Sequence, residues 1–157
     1  MNEIIKSILL SMLPIAELRG GIPYAISNDI DPLTAYVICV GANLLAFPIV
    51  FFFLGVLHPV FMKVKLYQNL FDKFVIRTRN KIEKNIEKWG FWGLMIFVMI
   101  PLPVTGAYTG SFAAWLFNIK KRQAFLAVSL GVIIAGIIVL AISVTGAEAF
   151  NFLIKKV

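Results

Sequence analysis

The sequence predicts an all-α integral membrane protein with an inverted-topology repeat. Each copy is a re-entrant helical hairpin followed by a transmembrane helix, and a basic amphipathic cytoplasmic segment lies between the copies. Three observations predict this. The chain has 157 residues, of which 60% are apolar, more than a soluble domain of this length hides from water. Two stretches of 25 residues, Leu33–Leu57 and Gln123–Ala147, contain no charge and are long enough to cross a bilayer with some tilt. Two proline-centred segments flank them and align with one another at a constant offset.

The N-terminal element reads as a hairpin. Asn2–Leu13 runs from amphipathic to apolar, Pro14 marks a turn, and Ala16–Ile26 is the returning half. A cleaved signal peptide is not expected, because Pro14, Glu17 and Arg19 stand where a small-residue cleavage site belongs. Leu33–Leu57 is the first spanning helix, with Asn43 and Pro48 inside it. Asn43 has two readings, a cavity-lining residue or a partner in an inter-helix hydrogen bond. Cys39 excludes an intrachain disulfide and any cysteine-cluster metal site, since it is the one cysteine.

His58–Lys88 has another character. It carries Lys63, Lys65, Lys73, Arg77, Arg79, Lys81, Lys84 and Lys88 against Asp72, Glu83 and Glu87. Its apolar residues, Tyr67, Leu70, Phe71, Phe74, Val75, Ile82, Ile86 and Trp89, recur at helical spacing. That pattern predicts a basic amphipathic helix, or a pair, on the membrane surface. Its charge, like the net +7 of the whole chain, points to cytoplasmic loops rather than nucleic acid.

Gly90–Ile119 is again free of charge. As one straight helix it would be about 45 Å long, too long for the hydrocarbon core. Pro101 and Pro103 break it into Gly90–Ile100 and Val104–Phe117, a second hairpin that enters to mid-depth and leaves on the same side. Gln123–Ala147 is the second spanning helix. The whole is a single transmembrane domain over 1–157: repeat one 2–57, amphipathic linker 58–88, repeat two 90–147. At an offset of 89, Pro14 falls on Pro103, Ile15 on Val104 and Gly21 on Gly110, the mark of a duplication.

Charge sets the orientation. Asp29 and Asp31 follow the first hairpin, and Lys120, Lys121 and Arg122 follow the second. With the second hairpin re-entrant, the basic linker and the basic turn share the cytoplasmic side and the acidic turn lies outside. Lys155 and Lys156 then fall outside, against the rule. The two hairpins enter from opposite faces, as in many secondary transporters.

Non-helical backbone at membrane depth survives only inside protein or beside a wet cavity. Each returning half-helix begins near the midplane, with unpaired N–H groups and a partial positive charge. Arg19 adds a planar fork suited to phosphate or carboxylate. Together these predict an anion site, with Arg19 as anchor and Thr105, Tyr108 and Thr109 as further substrate-binding groups. Glu17, a carboxyl that is costly to keep charged at depth, is the candidate proton-coupling residue. Glu17 and Arg19 are two apart, a spacing that does not face on a helix. Pro14, Gly20, Gly21, Pro23, Pro101, Pro103, Gly106 and Gly110 are the candidate turn and close-approach positions. No catalytic or metal residue is expected. His58 is the one histidine, and there is no HExxH, nucleophile elbow or P-loop.

The phrases Leu13-Pro-Ile-Ala-Glu-Leu-Arg-Gly-Gly-Ile-Pro23 and Pro101-Leu-Pro-Val-Thr-Gly-Ala-Tyr-Thr-Gly110 resemble the signatures of the small multidrug export protein family, which is distantly similar to the DedA (VTT-domain) superfamily. The resemblance covers nearly the whole chain. It implies paired re-entrant hairpins with spanning helices and, through DedA, proton-dependent lipid transport, including of undecaprenyl phosphate. The DedA pattern has acidic residues in the first hairpin and arginines in the second. Glu17 fits the first, whereas this chain carries its arginine, Arg19, in the first hairpin and no charge in the second.

The expected function is therefore a proton-coupled transporter or flippase of the cytoplasmic membrane for an amphiphilic anion such as a polyprenyl phosphate. A small multidrug or cation antiporter built on Glu17 is the alternative, and a membrane-shaping scaffold is the second. Expected partners are membrane lipid, an anionic amphiphile or small-molecule substrate, protons and a second copy in a homodimer. No cofactor and no nucleic acid are expected.

Overall fold

A computed structural model describes residues 2–73, 75–76, 90–102 and 105–155, without side chains beyond 147. Pro103, Val104, Phe74 and the linker positions 77–89, including Lys81, Ile82, Ile86 and Trp89, lie outside the described residues. The elements are helical: α1 (Asn2–Met12), α2 (Glu17–Ser27), α3 (Pro32–Leu44), α4 (Ala46–Phe52), a π-helical turn (Phe53–Leu57) and α5 (His58–Phe61). Then come α6 (65–73), α7 (Phe91–Met99), α8 (Ala107–Leu116) and α9 (Lys121–Lys155). Two helical stretches, Pro32–Phe61 and Lys121–Ala147, are long and apolar enough to cross a membrane. They extend the predicted spans by a few residues at their ends.

The helices fall into two compact units. The first contains α1, α2, α3 and the later part of α9. Leu13 precedes a proline and is pushed out of helical conformation, which ends α1. Glu17 N–H then donates to Leu13 O at 3.0 Å as α2 begins. At its far end α2 closes with a left-handed residue, Asp29 (φ 57°), and with the bonds Asp29 N–H to Ile26 O and Ile30 N–H to Ala25 O, the Schellman pattern. Asp31 caps α3 by accepting from Thr34 N–H at 3.0 Å, and Pro32 occupies the first helical turn, where its missing N–H costs nothing. Across the hairpin, Tyr24 Oη donates to the Glu3 carboxylate, which also pairs with Lys6 at 2.9 Å. The later part of α9 lies against α3, with Tyr36 Oη donating to Ile133 O at 3.1 Å.

The second unit spans Ala46–Gly131. Pro48 removes the N–H that would reach the carbonyl of Leu44, and the chain breaks between α3 and α4 at Leu45. α7 and α8 form the second helical hairpin. α8 ends as α2 does, on a left-handed Asn118 (φ 51°), with Asn118 N–H to Trp115 O and Ile119 N–H to Ala114 O.

Both hairpins close on a glycine. A Cβ on Gly21 would collide with the Ser11 side chain and lie 2.9 Å from Ser7 O on α1. A Cβ on Gly110 would collide with Val98 on α7. Buried Ala25, Ala35, Ala113, Ala114, Ala124 and Ala127 show the same habit of close small-residue packing, while Leu9, Leu33, Val37, Phe52, Trp92, Leu126 and Ile137 point outward. Small residues inside and large apolar ones outside suit helices solvated by lipid. Gly110→Val is expected to lower the thermal midpoint in detergent by the equivalent of about 1–3 kcal/mol, the usual cost of overpacking. An unchanged midpoint would mean that α7 and α8 do not pack this closely.

The linker differs from a simple surface helix where it is described. Tyr67 and Phe71 of α6 stack beside His58, and Phe71 also meets Phe112 and Trp115 of α8 edge-on. Leu66, Leu70 and Ile76 remain exposed. The apolar stripe therefore rests partly on protein and partly faces outward.

Candidate functional site

In the first hairpin α2 starts at Glu17 with φ 47°. A non-glycine residue in this region carries strain of about 1–3 kcal/mol, and such strain clusters at functional sites. The side chain is buried. Arg19, two residues on, is half-buried. The i, i+2 rule that separates these two in sequence presumes helical backbone at both. At φ 47° that presumption fails for Glu17. The N-cap position, Ala16, offers no side-chain hydrogen bond to the start of α2, and Glu17 N–H is taken up by Leu13 O at 3.0 Å.

Around this polar pair the tip is apolar and outward-facing. Ile15 is 99% exposed and Leu13 52%, an arrangement that belongs in hydrocarbon or against another protein surface. Pro23, one of the candidate turn and close-approach positions, lies inside α2. There it withdraws the N–H that would bond the Arg19 carbonyl in a regular helix. Gly20 and Gly21 are likewise within α2, and Pro14 alone of these positions sits in the turn.

The second tip is held by Thr105. Its hydroxyl accepts from Leu102 N–H at 3.1 Å and lies 2.7 Å from both Ile100 O and Leu102 O. Thr105 thus serves the turn first. Pro101 precedes it at the centre of a tight turn closed by Leu102 N–H to Ile100 O at 2.8 Å, and Gly106 (φ 141°) leads into α8. Tyr108 and Thr109 stand in the first turn of α8, both half-buried, with Thr109 Oγ1 3.4 Å from Gly106 O. Glu17 and Arg19 belong to one compact unit; Thr105, Tyr108 and Thr109 belong to the other.

Two further residues stand out, Asn43, for which the sequence leaves two readings open, and His58, which the sequence shows only as the one histidine. Asn43 is fully buried in α3, and neither its amide oxygen nor its nitrogen has a hydrogen-bond partner among the described residues. Its signal was an amide inside a charge-free span. His58 is buried among Tyr67, Phe71 and Trp115, with Nδ1 3.1 Å from Tyr67 Oη. The aromatic spacing of the linker could have indicated this cluster. Among the described residues no group of His, Cys, Asp and Glu has the form of a metal site.

The model of the family described as "Putative small multi-drug export protein" matches residues 17–138, from the start of α2 through α7 and α8 into α9. No curated protein and no solved structure matches the chain. The chain belongs to the small multi-drug export protein family, and with its two apolar spans it is a membrane protein.

Proposed function

We propose that this member of the small multi-drug export family is a proton-coupled transporter or flippase of the cytoplasmic membrane, moving an amphiphilic anion such as a polyprenyl phosphate. The observation that carries the reading is Glu17, a buried acid in strained backbone beside Arg19 at the start of α2. An acid and a guanidinium in an apolar chain are expensive and are kept where they contact cargo. The positive helix end and the fork favour an anion, and the likeness to DedA-type proteins is the reason for naming a polyprenyl phosphate.

The reading includes a duplication of inverted topology. In its support, α1 and α7 begin at Asn2 and Phe91, 89 positions apart. The same spacing separates the ends of α2 and α8, the left-handed residues Asp29 and Asn118, and the starts of α3 and α9. Glu17 at φ 47° corresponds to Gly106 at φ 141°. Opposite entrances follow from the charges, with the acidic turn outside and the basic turn inside. Asp29→Cys is then expected to react with a membrane-impermeant maleimide in intact cells, and Lys121→Cys only after permeabilisation. The native Cys39 is buried, so background is low. Labelling of position 121 from outside would contradict the re-entrant second hairpin. The exposed apolar tip at Leu13 and Ile15 supports a homodimer, in which protein surrounds the hairpins.

Ligand-induced stabilisation tests the choice of cargo. Farnesyl phosphate is expected to raise the thermal midpoint of the purified protein in a dose-dependent way, and tetraphenylphosphonium to leave it unchanged. The reverse would favour the cation antiporter. No response to either would favour the scaffold.

A further inference from the structure

We infer that Asn43 is a substrate-contacting residue that selects a phosphate monoester still carrying one proton; this rests on the anion-transport reading. Asn43 is fully buried, and both polar atoms of its amide lack a partner among the described residues. Buried amides are satisfied almost without exception, so one left open at both ends marks a place for a ligand.

Register says where it points. Only Asn28–Asp31 separate α2 from α3, so α3 runs back along α2. Asn43 lies 11 residues beyond Pro32, about 17 Å along α3, and Glu17 lies 10 residues before Ser27, about 15 Å along α2. Asn43 is therefore level with the strained start of α2. The buried residues of α3, Ala35, Cys39, Val40, Ala42 and Asn43, match a face packed on neighbouring helices. All these residues belong to one compact unit.

The chemistry of the ligand follows from the two ends of the amide. Nδ2 donates and Oδ1 accepts, so the complement is an oxyacid offering an unprotonated oxygen and a hydroxyl on one centre. A carboxylic acid holding that proton has no charge left for Arg19 and the helix end. A phosphodiester keeps its charge but has no hydroxyl. A phosphate monoester in its singly protonated form has both. Asn43 thus separates monoester headgroups from the diester headgroups of bulk phospholipid.

The test uses the whole protein in detergent at pH about 5.5, where a monoester holds one proton, with farnesyl phosphate, its methyl diester and inorganic phosphate as probes. Unaltered protein is expected to bind the monoester at least tenfold more tightly than the diester. Inorganic phosphate is expected to bind far more weakly, which places the ligand on a lipid; equal binding would place it in solution and overturn the lipid-headgroup assignment. Asn43→Leu is expected to bind both esters alike, at the level of the diester, and to unfold at no lower temperature without ligand, since it removes two unsatisfied polar atoms. Asn43→Ala reports the same ester ratio should the larger side chain prevent folding. A monoester preference kept in both variants, or a large loss of unliganded stability in both, overturns the role of Asn43. If unaltered protein binds both esters equally, the selection is wrong while the anion reading stands. If it binds neither, the anion reading itself fails.

Discussion

Arg19→Ala is expected to weaken binding of farnesyl phosphate by about 10- to 40-fold. Arg19 is half-buried near the start of α2, and hydrogen bonds to charged groups contribute about 1.5–3 kcal/mol. Partial exposure places the loss in the lower part of that range, because solvent screens the charge. Arg19→Lys keeps the charge and loses the bidentate fork, so it should recover only part of the affinity. Titration calorimetry in detergent measures both. Equal affinities for the Ala variant and the unaltered protein would remove Arg19 from the site and leave the cation reading stronger.

Glu17→Gln is expected to flatten the pH dependence of transport while binding falls only a few-fold. The amide retains the shape and the hydrogen-bonding reach of the carboxyl but carries no proton to exchange. Glu17→Gly separates strain from function. Glycine adopts φ 47° freely, and the left-handed region costs an L-residue about 1–2 kcal/mol. The glycine variant should therefore unfold at the same temperature or a few degrees higher, yet lose transport. The sign matters: a structural carboxylate would give a lower midpoint, and that result would make the buried acid a part of the fold instead of the mechanism.

Much of the fold was legible because its signals are local and strong. Leu33–Leu57 and Gln123–Ala147 announce spans through length and absence of charge, and the prolines at 14 and 101 lie where the helices break. The offset of 89 was visible at Pro14, Gly21 and their counterparts. Its fuller expression, in the Schellman ends at Asp29 and Asn118, depends on backbone angles that Asp and Asn permit without announcing. Pro23 falls in the returning half expected at Ala16–Ile26, and α2 carries it without ending there. The left-handed backbone at Glu17, φ 47°, leaves no mark in the sequence around it. Thr105 carries the hydroxyl expected at the second tip, but its bonds to Ile100 and Leu102 are set by the turn, which spacing alone does not reveal. Asn43 was legible as an oddity, and only its unsatisfied amide gives it a direction.

Flux measured directly tests the central claim. Protein reconstituted in vesicles with a fluorescent polyprenyl phosphate, read by quenching of the outer leaflet, is expected to equilibrate the probe between leaflets faster than protein-free vesicles. A pH gradient should change the rate, and Arg19→Ala should reduce it toward the background. Equal rates with and without protein, alongside protein-dependent exchange of a cationic dye, would contradict the account.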